Sequence, residues 1–176
     1  MSEGISREAS DFSRPLAVLK TCHVSIRAQC DTLRALVDRM KEFGPDGDAQ
    51  RMAADIVRYF DTAARFHHED EEDDLLPRMI VVSTIQHGSS LTRLVASIAT
   101  EHREMERAWT QLRAFLQGLT AGEAELDPLL VDHFVKLYGV HIAVEEANLL
   151  PLAEMLLSRA DLAEISANMV QRRGNP

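Results

Sequence analysis

The chain has 176 residues, 45% of them hydrophobic, which is enough for one domain with a substantial core and short for two. A formal charge of −9 and a pI near 5.2 exclude a nucleic-acid or anionic-membrane surface, both of which need clustered Lys and Arg, and suit cation binding better. No apolar run approaches the roughly 20 residues of a membrane span, and the opening MSEGISREASDF lacks a signal-peptide core, so a cytosolic protein is expected.

Aromatic residues make up only 5% of the chain and β-branched runs bounded by turns are scarce, so an all-α fold is expected. The first helix is predicted to begin near Ser13-Arg14-Pro15, where proline fits a first turn, and to end at Phe43-Gly44-Pro45. Its inward stripe of Leu16, Leu19, His23, Ile26, Cys30, Leu33, Val37 and Met40 alternates steps of three and four. Cys22 and Cys30 share this helix, and roughly 12 Å of rise between them excludes a disulfide, so both are read as reduced thiols. The second helix is predicted from Asp46 to Asp48 as far as Leu76, with Met52, Ile56, Phe60, Ala63 and His67 in line. The third, from about Ser90 to Gln117, carries Leu91, Leu94, Ile98, His102, Met105, Trp109, Leu112 and Leu116. Asp127-Pro128 opens the fourth, whose stripe is Leu130, Phe134, Leu137, His141, Val144, Asn148 and Leu152. Ser158 to Arg172 reads as a short capped tail helix.

Each of the four long helices thus places one histidine on its core stripe. His23 lies 20 residues before Phe43 and His67 lies 20 residues after Gly47, so in an antiparallel hairpin both rings sit about 30 Å from the turn. His102 precedes Gln117 by 15 residues and His141 follows Asp127 by 14, which matches the second pair in the same way. A shared level for all four rings is the expectation, although the path of residues 77–89 is not fixed by sequence.

Two segments, FHHEDEEDDLLP (66–77) and VHIAVEEANLLP (140–151), share the frame H-x-x-x-E-E-x-x-L-L-P. Residues i and i+4 lie on one helical face with about 6 Å of rise between them, so His67 with Glu71, and His141 with Glu145, can reach one metal ion or two adjacent ones. Four imidazoles and two carboxylates in a bundle core would cost several kcal/mol each if left dry and unpaired. A single core histidine is ordinarily satisfied by a neighbouring carboxylate. Four on four stripes, two of them with Glu at i+4, favour a metal centre instead. A nitrogen/oxygen donor set without thiolate leans towards iron or manganese, and six ligands suit two metals. The Leu-Leu-Pro endings are assigned to structure, since proline stops or kinks a helix and leucine packs.

These residues resemble the hemerythrin-like, HHE cation-binding family: a histidine on the first helix, H-x-x-x-E ending in a Leu-Pro turn, a second lone histidine, and H-x-x-x-E again. The resemblance covers roughly residues 12–157, leaving 158–176 as a C-terminal tail helix. It implies an antiparallel up-down-up-down four-helix bundle holding a non-haem di-iron centre. Within it, His23, His67, His102 and His141 become terminal ligands and Glu71 and Glu145 bridging carboxylates. The implied cofactor is two iron ions, with manganese or zinc less favoured. Two positions depart from the oxygen-carrying members of that family. These supply a further histidine one turn before the position of His102, where this chain has Ile98, and an aspartate five residues after the last histidine, where this chain has Glu145 at i+4 and Glu146 at i+5. The departures point away from reversible oxygen carriage and towards sensing, oxidation or iron storage.

Outside that set, His68 is expected to face solvent, about 100° from His67. Glu72 and Glu146 are expected to hydrogen-bond ligand rings from outside. His87, roughly 22 Å along the helix from His102, is read as too distant to ligate. His133 is read as surface, Tyr138 as an ordinary half-buried tyrosine, and Glu69, Asp70, Asp73 and Asp74 as a solvated face. The leading reading is a di-iron protein that binds O2, NO or peroxide, in sensing, detoxification or iron handling. The alternatives are a ferroxidase or peroxidase on the same centre and a metal-free helical interaction module, so enzymatic status stays open. Ferritin-type oxidases fit less well, because their bundles use Glu-x-x-His rather than His-x-x-x-Glu. No nucleic-acid or membrane partner is expected, and homodimerisation is left open.

Overall fold

A computed structural model describes residues 12–83, 88–122 and 126–174, and among these the chain is helical without strands. The elements are α1 (Pro15–Phe43), α2 (Gly47–Asp61), α3 (Ala63–Glu69), a π segment (Asp70–Leu75), α4 (Leu76–Val82), α5 (Gly88–Thr120), α6 (Pro128–Val144), a second π segment (Glu145–Leu149), α7 (Leu150–Leu156) and α8 (Arg159–Gly174). They form four rods: α1; α2 to α4; α5; and α6 to α7. Each rod packs against the next and the fourth returns to the first, giving the expected all-α bundle, with α8 laid across α1 and the first π segment. No helix among the described residues is long and apolar enough to cross a membrane.

Local chemistry sets the rod ends. Pro15 occupies the first turn of α1. Gly44 closes that helix at φ 71°, a left-handed conformation that favours glycine, with its N–H donating to Met40 O. Asp46 caps α2 by accepting from Ala49 N–H at 2.8 Å, and Asp127 caps α6 by accepting from Leu129 N–H at 2.9 Å. Ser158 and Asp161 form the reciprocal box that opens α8, each side chain accepting from the other's backbone N–H at 3.1 and 2.9 Å.

Asp46 also receives Arg39, Nε at 2.9 Å, and this guanidinium together with the Ala49 N–H pulls its carboxyl down to about 2. A depressed folded-state value means that the contribution of Asp46 is complete above the usual 3.8 and disappears as the pH falls through about 2. Asp46→Asn should therefore lower thermal stability at neutral pH and flatten its pH dependence between those limits. Melting curves at stepped pH with equal acid slopes for both proteins would contradict this.

The second rod departs from the single predicted helix over 46–76. It breaks at Thr62, whose Oγ1 donates to Arg58 O at 2.6 Å, an i−4 bond of the kind that disturbs helices. It then widens into a π turn, closed by Leu76 N–H donating to Glu71 O, and runs on through Pro77 to Val82. The fourth rod does the same, with Leu150 N–H donating to Glu145 O ahead of Pro151. Proline cannot donate and its ring strikes the carbonyl four residues back. In both repeats the change of hydrogen-bond register falls just before it, and the helix continues instead of stopping.

A π turn also shifts the inward stripe by about one place. The predicted stripe of the fourth rod is displaced accordingly. Asn148 is exposed, while Leu149, Leu150 and Ala153 are buried. Upstream, Val131, Val135, Tyr138 and Ile142 join Phe134 and His141 inside, while Leu130, Leu137 and Val144 are only partly covered.

The apolar interior forms two clusters. One contains Ile26, Phe60, Met105, Phe134 and Tyr138, and the other Leu19, Leu75, Ile98 and Leu149. Along α1 the change comes between Leu19 and Ile26, along α5 between Ile98 and Met105, and along the fourth rod between Ile142 and Leu149. His23 and His102 fall in those intervals, His67 and Glu71 fall in the corresponding one on the second rod, between Ala64 and Leu75, and on the fourth rod Glu145 falls within the interval and His141 at its edge, beside Ile142. A polar layer divides the core.

Candidate metal centre

That layer contains the six predicted side chains, all of them buried: His23, His67, Glu71 and Glu145 at 0%, His141 at 1% and His102 at 3% exposure. The rings meet in pairs. His23 and His67 approach edge to face at 4.9 Å between centroids, and the Nε2 atoms of His102 and His141 lie 3.1 Å apart. The two hairpins therefore share one level.

Each carboxylate faces both pairs. Glu71 puts Oε1 3.7 Å from His67 Nε2 and Oε2 3.3 Å from His102 Nε2. Glu145 puts Oε1 3.3 Å from His141 Nε2 and Oε2 3.1 Å from His23 Nε2. The result is two adjoining donor sets, His23-His67-Glu71-Glu145 and Glu71-His102-His141-Glu145, in each of which the ligand atoms lie within 4.8 Å of one another. Both glutamates belong to both sets.

Outer carboxylates fix three of the rings. Glu146 Oε1 meets His23 Nδ1 at 3.1 Å, Glu72 Oε1 meets His102 Nδ1 at 2.8 Å, and Glu101 Oε2 meets His141 Nδ1 at 2.9 Å. Occupying Nδ1 leaves Nε2 aimed into the layer, the arrangement used to orient metal-binding histidines. Arg27 in turn grips Glu146 with two bonds, of 2.9 and 2.8 Å. The contacts of Glu72 and Glu146 agree with expectation, whereas Glu101 and Arg27 are additions from the structure. The sequence offers one signal for Glu101: like Glu72 and Glu146, it sits one residue from a member of the layer, an angle at which a side chain reaches the neighbouring rod.

The donor set fits a cation. His23 Nε2, both ring nitrogens of His67, and all four oxygens of Glu71 and Glu145 are buried without a hydrogen-bond partner. Unpaired buried groups of this kind cost about 1–3 kcal/mol each, and more when charged. Burial, reinforced by the nearby negative charge of Glu145, raises the Glu71 carboxyl above its usual range. Burial also opposes charge on Glu145, but His23 and His141 outweigh it and hold that carboxyl low. His102 is pushed up to about 10, because Glu71 and Glu72 overcome the cost of burying its charge. A divalent cation would satisfy the same atoms, in competition with protons.

Three expectations are corrected. His68 is not turned to solvent: its Nε2 is buried, and its ring stacks on His102 at 4.2 Å and on Tyr138 at 5.7 Å. A rod with two neighbours buries both flanks of its seam, so His67 meets α1 while His68, about 100° around, meets α5 and α6. Asp70 and Asp74 are not solvated either, at 0% and 2% exposure. They pair with Arg172 and Arg173, and Asp74 also accepts from Asn168 at 2.5 Å, all three partners coming from α8. Tyr138 is buried rather than half-buried, at 4% exposure. His133 is exposed as expected, and His87 lies outside the described residues. A cavity of about 600 Å³, lined by His68, His102, Tyr138, Trp109 and Arg103 among others, leads from the surface to the His102 side of the layer.

Residues 14–153 match the family profile described as hemerythrin HHE cation binding domain. The chain is also similar to a protein of Haemophilus influenzae described as uncharacterized, with 28% identity over 171 residues, covering 95% of this chain and 94% of that one.

Proposed function

The chain belongs to the hemerythrin HHE cation-binding domain family and is a metal-binding protein, and from that premise we propose that it holds two iron ions which take up a small ligand such as O2, NO or peroxide. Sensing, detoxification or iron handling are the roles this chemistry serves. The observation that carries the proposal is the sharing of Glu71 and Glu145 between two histidine pairs, because a single ion needs no second set of donors. His23 and His67 would hold one ion, His102 and His141 the other, and the two carboxylates would span them. Nitrogen and oxygen donors without thiolate favour iron over softer metals. When bound, such a pair supplies one-electron redox chemistry and coordination positions open to a small ligand.

The protein's own part is positional and electrostatic. Glu146, Glu72 and Glu101 hold three imidazoles in the tautomer that presents Nε2 inward. The two apolar clusters exclude bulk water from above and below the layer. The cavity beside His68 and His102 gives a small molecule a route to one half of the site.

Anaerobic reconstitution with Fe(II), followed by metal analysis, should give two irons per chain. Exposure to air and then to azide should change the near-ultraviolet and visible absorption. An iron content well below one per chain after reconstitution would remove the di-iron reading.

A further inference from the structure

The chain is poor in aromatic residues, with one Trp, two Tyr and six Phe, and it spends them unevenly. The cavity of about 600 Å³ beside the polar layer takes Trp109, Tyr138 and Phe60, and with them the rings of His68 and His102. A diatomic ligand needs little more than the roughly 30 Å³ that a water molecule occupies. Sites for organic molecules run to about 300–1,000 Å³ and are lined by rings with a few polar groups. A passage for O2 or NO alone has no need of this volume.

The wall is already in place. Trp109 donates from Nε1 to Asp61 at 3.0 Å, and Arg113 holds the same carboxylate at 2.8 Å. The indole packs on Phe60 at 5.0 Å and on Phe134 at 5.6 Å between centroids, and His68 lies nearly parallel to Tyr138, with 15° between the planes. Trp109 and His68 are only partly covered, so they present ring surface to an occupant, and the buried Phe60, His102 and Tyr138 back them. Rings fixed in advance spare the cost of ordering on binding. They favour a flat partner, which stacks on them or meets them edge-on.

Charge at the rim selects further. Asp61 is neutralised by Arg113, Glu69 lies 3.3 Å from Arg65, and Glu72 is taken by His102. Arg103 spends one N–H on Thr100 at 2.9 Å, and its other N–H groups and the Glu106 carboxylate leave the rim both a donor and an acceptor. A rim so balanced attracts neither a strong anion nor a cation, but it suits a hydroxyl, which donates and accepts at once. We propose that this cavity binds an uncharged, planar, hydroxylated aromatic molecule of one or two rings. Its ring lies against Trp109 and His68, its hydroxyl meets Arg103 and Glu106, and it covers the approach to His102.

Trp109 is the chain's single tryptophan, so its emission reports on the cavity. The probe is 2-naphthol, titrated into the full chain in chelator-treated form and in Fe(II)-loaded form under nitrogen, and followed by calorimetry and by emission. One molecule per chain should bind in both forms, with a Kd on the order of 100 µM, and quench Trp109. The corresponding naphthoate, the same ring system bearing a charge, should bind at least about tenfold more weakly, because its carboxylate loses water without gaining a free cation. Exposed Glu106→Ala should weaken naphthol about fivefold, the worth of one hydrogen bond, and His133→Ala should leave it unchanged. An absence of saturable binding would overturn the proposal. So would binding that leaves Trp109 emission unaltered, naphthoate held as tightly as naphthol, or an affinity that Glu106→Ala does not move. Naphthol bound by a chain that takes up no iron would remove the two-metal reading and leave this one standing, and iron uptake without naphthol binding would do the reverse.

Discussion

Glu145→Gln protein should lose metal affinity by about a hundredfold or more at both positions, while its metal-free form stays as stable as the wild type. The first half of that expectation follows from geometry, because Glu145 Oε1 and Oε2 face His141 and His23 on opposite sides of the layer. Losing a partner behind a ligand already costs roughly 10–100-fold, and losing an oxygen shared by two ions costs more. The second half follows from electrostatics. Glu71 and Glu145 are buried together, and their mutual repulsion is part of what raises the Glu71 carboxyl. A neutral amide of the same shape leaves no cavity, and the repulsion it relieves offsets the attraction to His23 and His141 that it gives up. Thermal unfolding with and without saturating metal separates the two halves. At a free metal concentration about a thousand times Kd, binding stabilises the native state by about 4 kcal/mol. The wild type should show that gain, the variant should lose most of it, and exposed His133→Ala should keep it. A variant melting point that still rises with metal as the wild type's does would remove Glu145 from the centre.

The second large effect is expected far from the ligands, at the C-terminal helix. Arg172 reaches Asp70 and, at 2.9 Å, Asp74, while Arg173 reaches Asp70 at 2.5 Å. The two aspartates are almost wholly covered, and removing one partner of a buried ion pair typically costs 3–5 kcal/mol because the other charge stays behind unpaired. Arg172→Met should fall at the lower end, about 3 kcal/mol, since Arg173 still serves Asp70. For a chain of this size that is a fall in Tm of roughly 6–12 °C. Arg172→Met combined with Asp74→Leu should recover much of the loss, as apolar replacement of both partners of a buried pair often does. Asp70 directly precedes Glu71 in the first π segment, so α8 also braces the backbone that carries a shared carboxylate. The single variant should therefore bind metal more weakly as well. A Tm within a degree or so of the wild type would mean that the cluster is a surface network of little weight.

These two effects share one origin. A bundle core that carries both histidines and carboxylates cannot be uniformly apolar, and here the polar groups are gathered into one layer with a leucine-rich cluster on each side. Within the layer, His23 Nε2 and the Glu71 and Glu145 oxygens are unpaired, while the Nδ1 atoms of His23, His102 and His141 are hydrogen-bonded to outer carboxylates. The acidic run 69–74 follows the same division. Glu71 turns into the layer, Glu72 bonds its neighbour's ring, Asp70 and Asp74 are neutralised by α8, and Asp73 remains exposed.

The rods, their caps and the six residues of the layer were legible in the chain itself, because they depend on relations within one helix. Steps of three and four along the first and third stripes, Gly44 after Phe43, Asp127 before Pro128, and Glu four places after His67 and His141 are all local, and helical geometry converts them directly into direction and depth. The tertiary structure alone decided what depends on which rods are neighbours. His68, Glu101, Asp70 and Asp74 lie off the predicted seams, and a position off a seam is buried or exposed according to whether another rod passes over it. In this fold α5 and α6 cover His68, α8 covers Asp70 and Asp74, and α6 brings His141 to Glu101. The π turns belong with these, since a register change before Pro77 and Pro151 leaves no periodic mark in the sequence yet moves every inward residue that follows.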